Sequence, residues 1–301
     1  MAANRWWVYQ RERFPVFRHG LLIAGVCFGT LAFSIPAGEG VDLSTLIRFA
    51  ATFATVFLFF LQLRIADEFK DYEDDRRCRP HRPVPRGLVT LGELRVVACA
   101  GAAVQLGLAL AVSPRLLLPL TVVWAYMLLM TLEFFAAAWL KRHAVIYLCT
   151  HTLILPLIYF YVSACGWLVV RVPPPLGLGW LLAFGFCSGL VVEIGRKVWA
   201  PGDEIPGVQT YSRLWGYKAA TVVWATAVLA AAVFMLLAAA PGGSIAPLLG
   251  LIAALAAAGL PCTLRFTKWA RHSDAARIER MSGIWTLATH IGLGLVLMVN
   301  R

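Results

Sequence analysis

Between Asp67 and Gly87 the chain reads DEFKDYEDDRRCRPHRPVPRG, the stretch whose residue types are richest in possible chemistry. Six of its first nine residues are acidic: Asp67, Glu68, Asp71, Glu73, Asp74 and Asp75. Arg76, Arg77, Arg79, Arg82 and Arg86 follow them. An apolar run ending at Leu63 precedes the stretch. If the helix of that run continues, Asp67, Asp71 and Asp75 share one face at i, i+4 and i+8, with Glu68 beside them. Like charges at that spacing repel, and carboxylates at a helix C-terminus oppose its dipole. A divalent cation turns both penalties into binding energy, and hard oxygen ligands suit Mg²⁺. Arginines grip phosphate oxygens bidentately. An acidic cluster followed by a basic one at a membrane edge therefore points to a metal–diphosphate site. The plain alternative is a charged loop obeying the positive-inside rule, which accounts for the arginines but not for the packed carboxylates.

The elements that must position these groups are membrane helices. The 301 residues are 60% hydrophobic and 14% charged, with mean hydropathy +0.73. Soluble domains carry about 25% charged residues, so the chain is expected to be an integral membrane protein. Net charge is +11, but the basic residues sit in short loops between apolar runs, which argues against a nucleic-acid partner. The seven cysteines are scattered without a CxxC, so neither a disulfide framework nor a zinc site is expected. Trp6, Trp7 and Arg11-Glu12-Arg13 precede the first apolar run without an AxA-like site near its end, unlike a cleavable signal.

Nine apolar segments are long enough to span: roughly 19–37, 44–65, 91–112, 116–139, 144–169, 175–194, 218–240, 245–264 and 283–300. The expected fold is all-α, a single nine-helix transmembrane domain over 1–301, since backbone groups in lipid must bond internally and barrel-like alternation is missing. With the N-terminus inside, 21 of the 27 Lys and Arg residues fall in inner segments. The outer side keeps Arg115, Arg171 and Arg301, and Arg48, Arg64 and Arg95 sit near helix ends. That asymmetry predicts an N-in, C-out protein of the bacterial inner membrane with its acidic loops cytoplasmic.

A second informative loop, EIGRKVWAPGDEIPGVQTYSRLWG, runs from Glu193 to Gly216 and follows the sixth span as the acidic stretch follows the second. The two loops hold nine of the sixteen acidic residues, a placement that hints at a pseudo-repeat. Glu193 ends a span, with Arg196 and Lys197 at i+3 and i+4, and Asp203 and Glu204 follow the turn signal Pro201-Gly202. These groups form either a second half-site or an ordinary solvated loop with local ion pairs. Inside the spans, Glu133 in the fourth helix and His151 in the fifth either line a polar cavity touching an acceptor or satisfy one another across a helix interface. Trp6, Trp7, Trp139, Trp167, Trp199 and Trp215 sit near predicted interfaces as belt anchors.

The two loops resemble those of the UbiA superfamily of intramembrane prenyltransferases. That family has nine helices and an Asp-rich motif after the second, N-D-x-x-D-x-x-x-D, continuing into P-x-R-P-x-x-x-G. Here Asp67-Glu68-x-x-Asp71-x-x-x-Asp75 is followed by Pro80-His81-Arg82-Pro83-Val84-Pro85-Arg86-Gly87. The resemblance implies that Glu68, Asp71 and Asp75 bind Mg²⁺ bridging to a prenyl diphosphate, with Asp67 at the usual Asn position and the isoprenoid chain in a lipid-facing cavity. The family's second motif, D-x-x-x-D followed by Gly and then Ser or Thr, is matched in its latter half by Asp203-x-x-x-Gly207-x-x-Thr210, while Trp199 stands at the upstream Asp position. Asp203 is thus an expected metal ligand, with Glu193 in place of the missing Asp and Glu204 as its rival. The expected catalytic groups are Asp71, Asp75 and Asp203, and Arg64, Arg82, Arg196 and Lys197 are expected on the substrate.

The function so implied is Mg²⁺-dependent ionisation of a prenyl diphosphate and transfer of the prenyl group to a lipid-accessible acceptor such as an aromatic or quinone precursor. Two other readings remain open: a membrane terpene cyclase, which releases a hydrocarbon without an acceptor, and a cation-binding transporter, whose acids belong nearer mid-membrane.

Overall fold

The computed structural model describes residues 4–36, 38–40, 42–243 and 245–300. Arg301, an outer-side cation in the predicted topology, lies outside them. Among the described residues nine helices are long and apolar enough to cross a membrane. A short charged helix, α1 (Arg5–Arg13), leads into α2 (Val16–Ser34) and α3 (Leu43–Lys70). The acidic stretch forms α4 (Tyr72–Cys78), followed by α5 (Leu91–Val112), α6 (Leu117–Thr131) and the short α7 (Ala137–Arg142). The fifth span is α8 (Ala144–Thr152) plus α9 (Ile154–Trp167). It breaks at Leu153 because Pro156 has no N–H to give the Thr152 carbonyl. Next come α10 (Leu178–Gly195), α11 (Tyr211–Trp215), α12 (Tyr217–Ala239), α13 (Ala246–Trp269) and α14 (His272–Val299).

Successive spans alternate in direction, so the connections 71–90, 132–143 and 196–216 gather with α1 at one end, the charged end. Ion pairs cross it: Lys141–Asp74 at 3.6 Å, His272–Asp203 at 2.8 Å and Arg18–Glu279 at 3.4 Å. Within the bundle α10 packs on α12, α2 on α14 and α9, and α3 on α5. Small residues permit close approach, as is usual where lipid supplies no hydrophobic drive. A Cβ at Gly29 would overlap the His290 carbonyl oxygen, so α2 and α14 meet backbone to backbone. Buried amides are satisfied across helices: Gln62 donates to the Gln105 carbonyl oxygen at 3.0 Å, Trp124 donates to the same atom at 2.9 Å, and Gln105 donates to the Thr55 carbonyl at 3.0 Å.

One small apolar cluster matters most for the acidic stretch. Tyr9 of α1, Ile65 of α3, Val84 and Val89 of the following turn, and Leu94 of α5 pack together. The Pro-rich tail is a compact turn in which Arg86 N–H bonds Arg82 O at 3.0 Å and Leu88 N–H bonds Pro83 O at 2.9 Å. Gly87 has φ +78, where a side chain would be strained. A capping box of Thr90 and Glu93 then starts α5.

Several expected boundaries shift, the second span running on to Lys70 rather than 65 and the eighth to Trp269 rather than 264. The ninth span starts at His272 rather than near 283, because Asp274 is ion-paired with Arg277 and the Ser282 hydroxyl accepts from Trp224 Nε1, letting polar residues enter the helix. The first begins at Val16 rather than 19. The fourth ends at Thr131 instead of 139: Glu133, Phe134 and Phe135 all take positive φ (47, 52 and 57), which no α-helix accommodates. Glu133 is therefore at the charged end of its span, in a turn, and not at mid-depth within a helix.

Candidate active site

The helix carrying the first acidic motif does not continue unbroken through it. α3 ends at Lys70, and Asp71 (φ −94, ψ 5) serves both as its C-cap and as the residue before α4. This bridge-region conformation turns the chain. Backbone bonds from Asp71 N–H to Asp67 O at 2.9 Å and from Asp75 N–H to Asp71 O at 2.8 Å still span the junction, and the charges of Asp67 and Asp75 both reach Asp71.

Two of the motif acids are already neutralised. Glu68 and Asp75 are each 1% exposed. Glu68 Oε1 accepts from Arg13 Nε, and Arg13 Nη2 lies 3.8 Å from Asp75 Oδ2. Asp75 also meets Arg79 Nη2 at 2.8 Å and Arg82 Nη1 at 2.6 Å. Three guanidiniums against two carboxylates leave this cluster net positive. A dication placed beside the cluster therefore meets net positive charge. Glu68 and Asp75, both expected as metal ligands, are thus placed as partners of arginine, and Arg82, expected on the substrate, is placed on Asp75.

Asp67 and Asp71 differ. Asp67 has only loose cation partners, Arg64 at 3.6 Å and Lys70 at 3.8 Å. Asp71 enters no ion pair or side-chain hydrogen bond among the described residues. Burial, reinforced by the neighbouring Asp67 charge, pushes its carboxyl above the usual range. Arg64 Nε is buried without a partner.

The second loop brings a cation within reach of Asp67. Glu193 at the end of α10 bonds Arg196 Nε at 2.6 Å and Lys197 Nζ at 2.9 Å. The Glu193 carboxylate, with Asp67 adding to it, holds the Arg196 guanidinium more firmly charged than usual. The Asp67 charge at the end of α3 thus reaches the Arg196 guanidinium at the end of α10. Lys197 Nζ lies 5.5 Å from the centre of the Tyr211 ring, whose phenol burial pushes up. The other acids of the loop are engaged elsewhere. Asp203 Oδ2 meets His272 Nδ1 of α14 at 2.8 Å, and Glu204 accepts from Thr210 and Ser212 hydroxyls, each at 2.7 Å. Neither makes a direct contact with Glu193.

Between the two helix ends stands an aromatic stack. Lys70 Nζ lies 5.3 Å from the Tyr147 ring centre, and Tyr147 stacks on His151 at 3.8 Å. His151 Nδ1–H donates to the Tyr147 carbonyl at 3.0 Å, which leaves the lone pair on Nε2, and that atom is buried without a partner. The Phe134 ring approaches edge-on at 6.1 Å, whereas Glu133 and His151 make no hydrogen bond with each other. The charges of Lys70, Asp67 and Glu193 all reach His151.

Among the described residues no three His, Cys, Asp or Glu side chains converge closely enough to hold a metal alone. This fits Mg²⁺, which commonly takes one or two carboxylates and completes its octahedron with water and substrate phosphate oxygens. Two hard-oxygen carboxylates, one half-buried and outside any ion pair among the described residues, are such a donor set. Sequence reasoning gave Arg13 only a topological part and passed over Tyr147, which stands four residues before His151 on one helix face.

A sequence profile of the UbiA prenyltransferase family matches residues 22–286. No curated protein matches the chain. In fold it is similar to a digeranylgeranylglyceryl phosphate synthase, at TM-score 0.62 and 17% identity over 98% of this chain and 99% of that one. A UbiA homologue from Aeropyrum pernix K1 gives TM-score 0.62 at 18% identity, covering 93% and 97% of the two chains. A UbiA homologue from Archaeoglobus fulgidus, bound to DMAPP and Mg²⁺, gives TM-score 0.53 at 14% identity, covering 97% and 99%.

Proposed function

The chain belongs to the UbiA prenyltransferase family, and from that premise we propose that this intramembrane prenyltransferase is Mg²⁺-dependent, uses Asp67 and Asp71 as its protein metal ligands, and transfers a prenyl group to a lipid-accessible acceptor. The observation that carries the reading is the Asp67 carboxylate, beside the half-buried Asp71, acting across on the Arg196 guanidinium at the end of α10. Bound Mg²⁺ would supply charge neutralisation for the leaving diphosphate. Arg196 and Lys197, held by Glu193, and Arg64 with its free Nε, bind the remaining phosphate oxygens, Arg as a fork and Lys as a point charge. The C1–O bond of the prenyl diphosphate breaks, the electron pair leaves with the diphosphate, and the allylic cation is captured by the acceptor. The displaced acceptor proton passes to Nε2 of His151, whose neutral tautomer presents a lone pair there. The rings of Tyr147 and Phe134 keep water from the cation.

The test is purified protein with labelled prenyl diphosphates of several lengths, with and without Mg²⁺ and with phenolic and quinol acceptors. Diphosphate release that needs Mg²⁺, accompanied by a prenylated acceptor, is expected. Full turnover in excess EDTA sinks the metal assignment, and a hydrocarbon product without acceptor makes the protein a cyclase.

The charged end is proposed to face the cytoplasm, on the asymmetry of Lys and Arg. In a background lacking the native cysteines, Gly40→Cys and Arg77→Cys should label from opposite sides of the membrane. Labelling from one side defeats the nine-span topology.

A further inference from the structure

Arg13 belongs to α1, ahead of the residues 22–286 that the family profile covers. Its side chain is nonetheless 8% exposed, buried against a carboxylate 55 positions later in the chain. The local sequence explains how it is held there. Pro15 ends α1, Phe14 is buried and stacks on His19 at 4.5 Å, and the Gln10 side chain accepts from Val16 N–H at 3.2 Å. The rest of α1 is moored by Arg5–Glu93 at 2.6 Å, by Arg86–Glu12 at 3.0 Å and by Tyr9 within the cluster of Ile65, Val84 and Leu94. Tyr9, one turn before Arg13 on the same face, feels the Glu68 and Asp67 charges as well.

We propose that Arg13 is a positioning residue of the metal site: by clamping Glu68 to Asp75 it withdraws Glu68 from metal ligation and sets the rotation of the last turn of α3, so that Asp67 and Asp71 alone present to the metal. The inference rests on the metal–diphosphate reading above. Glu68 lies between Asp67 and Asp71 in sequence, so unclamped it would be a third carboxylate in the same turn. Arg13 draws it to the α1 side and supplies the charge that its burial requires. Asp75 stays neutralised by Arg79 and Arg82 even without Arg13, which makes Glu68 the residue whose allegiance Arg13 decides.

The test compares wild type, Arg13→Gln, Glu68→Gln and the double variant. Melting temperature and binding of Mg²⁺ alone are measured, with Mn²⁺ as a paramagnetic check, and binding of Mg²⁺ is repeated with inorganic pyrophosphate. Arg13→Gln should bind Mg²⁺ alone about tenfold more tightly, because a freed Glu68 joins Asp67 and Asp71. The double variant should return to wild-type affinity and recover most of the melting temperature lost in either single variant, since both charges are removed together. Glu68→Gln should melt lower with its Mg²⁺ affinity nearly unchanged. A purely structural Arg13 would lower melting alone, and that result overturns the proposal. So does a tenfold or greater loss of Mg²⁺ affinity in Glu68→Gln. If Arg13→Gln does not fold, the double variant and Glu68→Gln still decide it. A wild type that binds no Mg²⁺ even with inorganic pyrophosphate overturns the metal reading itself, which separates the two failures.

Discussion

Asp71→Asn should lower turnover by about 10²–10³ while leaving the melting temperature equal to or above that of wild type. The carboxylate it removes is half-buried, lies beside Asp67 and enters no ion pair among the described residues, and burial with the Asp67 charge outweighs Lys70 and Arg79 in raising it, so without metal it costs stability rather than lending it. Asp75→Asn is expected to behave in the opposite way. Asp75 meets Arg79 and Arg82 closely and Arg13 at 3.8 Å, and removing its charge leaves Arg79 and Arg82 without their carboxylate while Arg13 keeps Glu68. Breaking a buried pair by removing one partner typically costs about 3–5 kcal/mol. The Asp75→Asn variant should therefore melt well below wild type, and whatever folds should keep its Mg²⁺ half-saturation. Turnover and melting are measured for both variants across a Mg²⁺ titration. A stable, inactive Asp75→Asn with a weakened Mg²⁺ response would return Asp75 to the metal, and a fully active Asp71→Asn would remove Asp71 from it.

The contrast between these neighbours marks how far the sequence could be read. Spans, the all-helical fold and the gathering of both acidic loops at one end follow from local features: apolar run lengths, turn signals and the placement of Lys and Arg. Proximity of Glu193 to Arg196 and Lys197 is likewise local, fixed by helical spacing. The ion-pair partners of Glu68 and Asp203 were not legible, because each is a cation from a distant segment, whereas Asp75 takes Arg79 and Arg82 from nearby and only Arg13 from afar. Arg13 is 55 positions from Glu68, and His272 is 69 from Asp203. No spacing rule connects residues so far apart, and only the packing of α1 on α3 and of α14 against the second loop does so. The turn at Glu133 to Phe135 escaped for another reason: it contains neither Gly nor Pro, the residues that ordinarily announce positive φ or a helix end.

Arg196→Ala should cost more than any loss of a loop acid beyond Pro201, reversing the weight that the motif resemblance places on Asp203. Arg196 caps α10 beside Glu193, and the Asp67 charge on the end of α3 reaches it, so it is placed to bridge the two helix ends through a diphosphate. Losing a charge-assisted contact to the leaving group is expected to lower turnover by about 10². Arg196→Lys should recover part of this, since it keeps the charge but not the fork. Glu193→Gln should act on the same contact at one remove, weakening diphosphate binding through Arg196 and Lys197 with a smaller change in turnover. Asp203→Asn should stay within a few-fold of wild type, because Asp203 faces the largely exposed His272. Glu204→Gln should chiefly loosen the loop that Thr210 and Ser212 hold to it. Turnover, substrate KM and Mg²⁺ half-saturation across these variants distinguish the roles. If Asp203→Asn loses activity together with its Mg²⁺ response while Arg196→Ala keeps both, the second half-site is an acidic metal site after all, and His272 must release Asp203 when substrate binds.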